Sequence, residues 1–120
     1  MPLITTKAST EISKEKEIAI KTQFGKAIEL INKTESWLMV DFKQNCHLYF
    51  KGEDTPSAMV EVDLFGKASD NGYDALTKAL TDIISSELGI DRGRIYVRYN
   101  EIDHWGYSGF NFLESSDRKY

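Results

Sequence analysis

Met59-Val60-Glu61-Val62-Asp63-Leu64-Phe65 alternates two kinds of side chain along its length. Val60, Val62 and Leu64 fall on one side; Met59, Glu61, Asp63 and Phe65 fall on the other. That is the period of a half-buried strand. Downstream, Gly66–Gly72 reads as a loop, and Leu76, Leu80, Ile83, Ile84 and Leu88 share one helical face. Gly89 stands where a left-handed residue would end that helix, and Ile95–Asn100 is the next strand. Upstream of a turn-like Gly52–Pro56, the same order occurs once already. Pro2–Thr6 is a short β-compatible run. Ser13 is a candidate N-cap, with Glu15 and Glu17 in the first turn where the helix dipole favours them. Ile20, Phe24, Ala27, Ile28 and Ile31 then recur at helical spacing. Gly25 in that pattern costs about 1 kcal/mol relative to alanine. Trp37–Phe42 reads as a strand and His47–Phe50 as a smaller one.

The two strand–helix–strand runs are offset by 57 residues at their first strands and 58 at their second. Near-equal offsets indicate an internal repeat of two β-α-β units. Right-handed crossovers would place both helices on one side of a shared sheet. The expected fold is therefore α/β in the sense of an α+β two-layer sandwich: tandem β-α-β units, a four-stranded mixed sheet, and two helices on one face. The second sheet face is expected to need a cover, because Leu38, Val40 and Phe42 oppose Trp37 and Met39. Symmetric self-association would supply that cover. The alternative is cover by the hairpin and the aromatic closing segment Trp105–Phe112.

The chain's 120 residues suit one domain. With 15 basic and 19 acidic residues its net charge is −4, which opposes phosphate backbones and disfavours nucleic acid as a partner. Its single cysteine, Cys46, can form neither an internal disulfide nor a cysteine-rich zinc site. No apolar run approaches the ~20 residues that span a bilayer, so no membrane role is expected. The Met-Pro-Leu-Ile start lacks a basic segment ahead of a long apolar one, so a cytoplasmic location is expected.

Several chemistries lack their motifs. Gly66-Lys67-Ala68-Ser69 has neither the earlier glycine nor the spacing of a phosphate loop. His47 and His104 have no partners at metal-ligand spacing, and neighbours Cys46 and His47 would point apart on a strand, so no metal or other cofactor is expected. No Gly-x-Ser-x-Gly elbow occurs. Pro2 is the informative residue. If Met1 is removed, Pro2 carries the terminal charge on a secondary amine. Terminal amines titrate near ~7.7–8.0, and apolar burial or nearby cations favour their neutral form. Such a base could abstract a proton near neutral pH. A proline at position two is by itself common by chance. Lys33 directly follows the first helix, and Tyr96 and Arg98, two apart on one strand, project from one face. Each alone suits a solvated surface; together with Pro2 they would supply a base, two cations and a hydroxyl for an anionic substrate.

Met-Pro at the start, Asn-Lys at 32–33, Phe-Gly-Lys at 65–67, Asp-Arg-Gly-Arg-Ile-Tyr-Val at 91–97 and Trp-Gly-Tyr-Ser-Gly-Phe-Asn-Phe at 105–112 resemble the macrophage migration inhibitory factor family. The resemblance spans residues 2–112. It implies one tautomerase-like domain over 1–112, with a polar tail over 113–120 that is expected to be mobile. It also implies a homotrimer and keto–enol tautomerisation of phenylpyruvate-like α-keto acids. Carried over by position, Pro2 is the catalytic base, and Lys33 and the Phe65 backbone N–H bind the substrate carboxylate. Tyr96 borders the pocket from a neighbouring subunit, and Ile102, Trp105, Tyr107 and Phe112 form an aromatic pocket wall.

Three features depart from the family pattern. Arg98 stands where asparagine is common, which is expected to alter substrate preference. The loop before Gly106 is about two residues shorter. Ser57 and Val60 replace the two cysteines of the mammalian factor, so its thiol–disulfide activity is expected to be absent. Two other readings compete with a tautomerase: a cytokine-like or small-molecule-binding trimer with vestigial activity, which could bind a receptor and leave cells without a signal peptide, and decarboxylation or dehalogenation on the same proline.

Overall fold

The computed structural model describes residues 1–113; the expected polar tail lies, from 114 onward, outside the described residues. Eight regular elements follow in order: β1 (Pro2–Ala8), α1 (Lys14–Ala27), β2 (Met39–Lys43), β3 (Ala58–Phe65), α2 (Asp70–Leu88), β4 (Ile95–Ile102), β5 (His104–Tyr107) and β6 (Phe110–Leu113). β1 runs parallel to β2, and β3 runs parallel to β4, each pair joined through a helix. β1 and β3 meet antiparallel at the centre, giving the sheet order β2-β1-β3-β4. The expected repeat is therefore real, and the fold is the mixed four-stranded sheet with two helices.

Helix boundaries follow local chemistry. The Ser13 hydroxyl accepts from the Lys16 N–H, and the Ser69 hydroxyl from the Gly72 N–H, satisfying amides that have no intrahelical acceptor. Gly89 ends α2 at φ 68°, as expected. Gly25 is buried, and a Cβ there would collide with the Glu35 carboxyl group. That carboxyl is the movable end of an exposed side chain, so the contact by itself does not require glycine here.

Ile4 and Ala8 of β1, Val60, Val62 and Leu64 of β3, and the apolar stripes of both helices form one core. Thr6 is fully buried in the same row, and its hydroxyl has no hydrogen-bond partner among the described residues. Tyr73 and Tyr99 seat α2 on β4, with ring centroids 4.5 Å apart. Burial, and then a 2.5 Å hydrogen bond donated to Glu101, push the Tyr73 phenol up to about 12.

Three expectations fail. Trp37 lies in a 3-10 turn over Glu35–Trp37, so β2 starts at Met39. His47–Phe50 is not a strand; it carries one isolated bridge, Phe50 to Glu53. The third failure concerns the open sheet face. Leu38, Val40 and Phe42 pack against the helix-side core, so the apolar excess assigned to the open face belongs to the other one. By strand alternation the open face carries charged and polar residues, Asp41, Lys43, Lys7, Glu61, Asp63, Arg98 and Asn100, together with the apolar Leu3, Met39, Met59 and Tyr96, of which Met39 and Tyr96 are exposed. Glu61 binds Lys7 at 3.0 Å and Arg98 at 2.8 Å, and Asn100 donates to Asp63 at 2.9 Å. The open face is thus mixed rather than apolar, with Met39 and Tyr96 exposed among paired charges.

Candidate active site

β1 begins at the edge of the molecule where β3 ends, and the register sets Pro2 opposite Leu64. Phe65, the next residue, joins three pieces of chain at this corner. Its N–H donates to the Met1 carbonyl at 3.1 Å, and its carbonyl accepts from Lys33 Nζ at 3.0 Å. Its ring lies 6.4 Å from that of Phe112. Lys33 reaches this place because Asn32 adopts a left-handed conformation, φ 61°, and turns the chain sharply out of the first crossover. Asparagine tolerates that conformation better than most residues, so the Asn32-Lys33 pair delivers the cation. Lys33 is only 3% exposed. A buried ammonium needs acceptors, and the Phe65 carbonyl is one of them.

Beside this corner lies a cleft of about 360 Å³, lined by Pro2, Trp37, Leu38, Met39, Trp105 and Tyr107 among others. Trp37 and Tyr107 stand edge to face, centroids 5.0 Å apart. The hairpin of β5 and β6 thus brings Trp105 and Tyr107 to this cleft, whereas Ile102 and Phe112 are not part of its lining. Trp37 and Met39 complete the cleft although the sequence reading gave them no site role. Their only prior signal was apolarity at the start of a strand, which many core residues share.

Tyr96 and Arg98 lie elsewhere. Tyr96 is in register with Met59, and Met59 with Lys7. Pro2, at the level of Leu64, is therefore five strand positions away, roughly 17 Å at 3.3–3.4 Å per residue. Within one chain Pro2 and Tyr96 do not meet. Nor is Arg98 an uncommitted cation, since Glu61 binds it at 2.8 Å. Arg98, and then Lys7, hold the Glu61 carboxyl below the usual carboxylate range.

A family model for macrophage migration inhibitory factor matches residues 1–112. This chain belongs to the macrophage migration inhibitory factor family. Its fold is that of the tautomerase superfamily. A second such factor from Leishmania major shares 27% identity and superimposes with a TM-score of 0.88, over 93% of this chain and 97% of that one. The homologue from Prochlorococcus marinus shares 25% identity with a TM-score of 0.84, over 92% of this chain and 98% of that one. A protein solved after inactivation by 2-oxo-3-pentynoate shares the fold, at 21% identity and a TM-score of 0.79, over 89% of this chain and 93% of that one. A search of curated proteins finds no match to this chain. Family membership supports a function of the tautomerase or migration-inhibitory-factor kind. Among the described residues, no helix is long and apolar enough to cross a membrane.

Proposed function

We propose that the chain is a keto–enol tautomerase for phenylpyruvate-like α-keto acids, working as a homotrimer of one domain over 1–112 with Pro2 as general base. The observation that carries this reading is the position of Met1. Met1 is 2% exposed, and its carbonyl takes the Phe65 N–H beside Lys33. While Met1 is attached, the Pro2 nitrogen is an amide and has no basicity. Loss of Met1 converts it to a secondary amine and releases the Phe65 N–H, on the residue whose carbonyl holds the Lys33 ammonium. A substrate carboxylate can replace the Met1 carbonyl as acceptor. The methylene carbon beyond the keto group then lies toward Pro2, and the aromatic ring of the substrate toward Trp105 and Tyr107.

Pro2 removes the proton from the carbon next to the carbonyl and returns it to oxygen in the enol. Charge developing on oxygen is stabilised by fixed donors in a water-poor corner. An apolar surrounding and the Lys33 cation both favour the neutral, basic form of Pro2. Tyr96, roughly 17 Å away in its own chain, borders the pocket from a neighbouring protomer. Phe112 buttresses Phe65.

The test joins mass and activity. Intact mass should show Met1 removed, and 2-oxo-3-pentynoate should add one equivalent at Pro2. Pro2→Gly should lose phenylpyruvate enolisation while sedimenting as the wild type does. Equal enolisation by wild type and Pro2→Gly would falsify the reading and leave a binding role for the assembly.

A further inference from the structure

Residues 44–57 connect β2 to β3 and contain no strand, yet they are sharply organised. Lys51 and Gly52 adopt φ 55° and 78°, and Phe50 and Glu53 exchange hydrogen bonds at 2.9 and 3.1 Å across them. Two consecutive positive φ angles make this a tight two-residue hairpin turn. What fastens it to the sheet is a side chain about 40 residues further on. Arg94, just before β4, donates from Nε to the Pro56 carbonyl at 3.2 Å and to Ser57 Oγ at 3.0 Å. Its Nη2 donates to the carbonyls of Phe50, Glu53 and Thr55 at 3.0, 3.0 and 3.1 Å. Nη2 has two hydrogens and three acceptors, so at least one hydrogen is shared. The guanidinium also lies over the Phe50 ring, 5.2 Å from its centroid.

Lys51 Nζ also lies over that ring, 5.6 Å from its centroid, and the ring's aromatic neighbour is Tyr96. Phe50 and Tyr96 meet edge to face at 4.9 Å and 81°. Phe50 therefore stands between Arg94 and Tyr96, with its backbone and its ring each held by the same guanidinium. Tyr96 itself is 58% exposed, so the contact with Phe50 restricts a ring that solvent would otherwise leave free to reorient.

We propose that Arg94 is a positioning residue that acts through Phe50 to fix the ring of Tyr96 and hence one wall of a neighbouring protomer's pocket. This rests on the tautomerase reading above in one respect only, the assignment of Tyr96 to that pocket. The planar fork of arginine is essential, because a lysine ammonium cannot span acceptors on both sides of the turn.

The experiment uses the full chain labelled with 3-fluorotyrosine, the Tyr96 fluorine signal being assigned by its loss in Tyr96→Phe. Arg94→Lys and Phe50→Leu should both move this signal toward the solvent-exposed position, and Phe50→Tyr should hold it near wild type. Phe50→Leu leaves the backbone acceptors of Arg94 in place, so it decides the matter even if Arg94→Lys fails to fold. In enolisation assays, Arg94→Lys and Phe50→Leu should raise KM about three- to tenfold, the scale of one aromatic pair, with kcat little changed. Added to Tyr96→Ala, neither should raise KM further. A Tyr96 signal that stays put in Phe50→Leu, or KM effects that multiply in full with Tyr96→Ala, would overturn the proposal. If wild type and Pro2→Gly enolise equally, the tautomerase reading fails, and the fluorine signal still decides whether Arg94 orders Tyr96.

Discussion

The corner around Pro2 and the far end of β4 around Tyr96 belong to one sheet but are built differently. At the corner, Met1, Pro2, Lys33 and Phe65 are all buried, and the polar groups among them meet within the chain. At the β4 end, Tyr96 and Arg98 are exposed, and the charges lie in a row across the open face. The corner is built like an interior, with its polar groups satisfied by one another. The other end resembles a surface prepared for contact. The difference is that one end closes its polar groups within the chain while the other leaves an aromatic ring and charges exposed; on the proposed function, the first would hold the base and the second would complete a neighbour's pocket.

The hardest way to break the comparison is to keep the corner from opening. Inserting alanine between Met1 and Pro2 leaves every contact of β3 and β4 intact but keeps the Pro2 nitrogen an amide. Enolisation should fall by about 10²–10⁴-fold, the usual contribution of a positioned base, with the unfolding midpoint little altered. Activity within a few-fold of wild type would show that a free terminal proline is not the base. Next comes Lys33→Met, which removes one cation from the same corner and leaves the buried Phe65 carbonyl without that donor. Loss of a charge-assisted hydrogen bond to substrate should cost about 10–100-fold in kcat/KM, and the orphaned carbonyl about 1–3 kcal/mol of stability. Steady-state kinetics and urea unfolding read the two effects separately. A stability loss with unchanged kcat/KM would make Lys33 a purely structural strut.

The charged row at the other end predicts a smaller, pH-dependent effect. Glu61 has its carboxyl pKa lowered below 4.5 by Arg98 and then Lys7. A lowered carboxyl pKa adds stability above its unfolded value, and that stability is lost as pH falls through the folded value. Glu61→Gln should therefore destabilise the protein at pH 7 by about 0.5–1 kcal/mol, as part of a partly screened network. The gap should narrow in acid, as pH falls through the lowered value at which the folded wild-type carboxyl takes up its proton. Thermal unfolding at pH 7 and at acid pH, at one protomer concentration, measures it. A gap that persists unchanged in acid would exclude the ionic origin.

How much of this was legible beforehand depends on whether the deciding contact was local. The helices and the strands at 2–8, 58–65 and 95–102 were readable, because each buries one face and burial imposes its own period on the sequence. The corner was readable for a similar reason: Pro2, Lys33 and Phe65 carry distinctive chemistry at family spacing. The loop at 44–57 was not, since its shape depends on the Arg94 guanidinium. His47–Phe50 looked like a strand because its residue types favour one, but the carbonyls of Phe50, Glu53 and Thr55 are taken by that side chain. The open face was misjudged through its phase. Leu38, Val40 and Phe42 pack on the core side, and Met39 and Asp41 occupy the positions between.

Arg98 is where sequence and structure point to different experiments, and where the smallest effect is expected. From its type and its place two residues beyond Tyr96, it reads as a second cation for substrate. In the folded chain its guanidinium is bound to Glu61, so recruiting it to a carboxylate would mean trading one anion for another and leaving Glu61 with Lys7 alone. That exchange offers little net gain. Arg98→Asn should therefore leave KM for phenylpyruvate within about twofold, the range of ordinary surface substitutions, far below the effect of Lys33→Met. It should also reproduce part of the acid-sensitive stability loss of Glu61→Gln, since both remove the same ion pair. A tenfold rise in KM, with stability unchanged, would mean that assembly pulls Arg98 away from Glu61 and into the pocket. The β4 end would then bring charge as well as an aromatic ring to its neighbour's site.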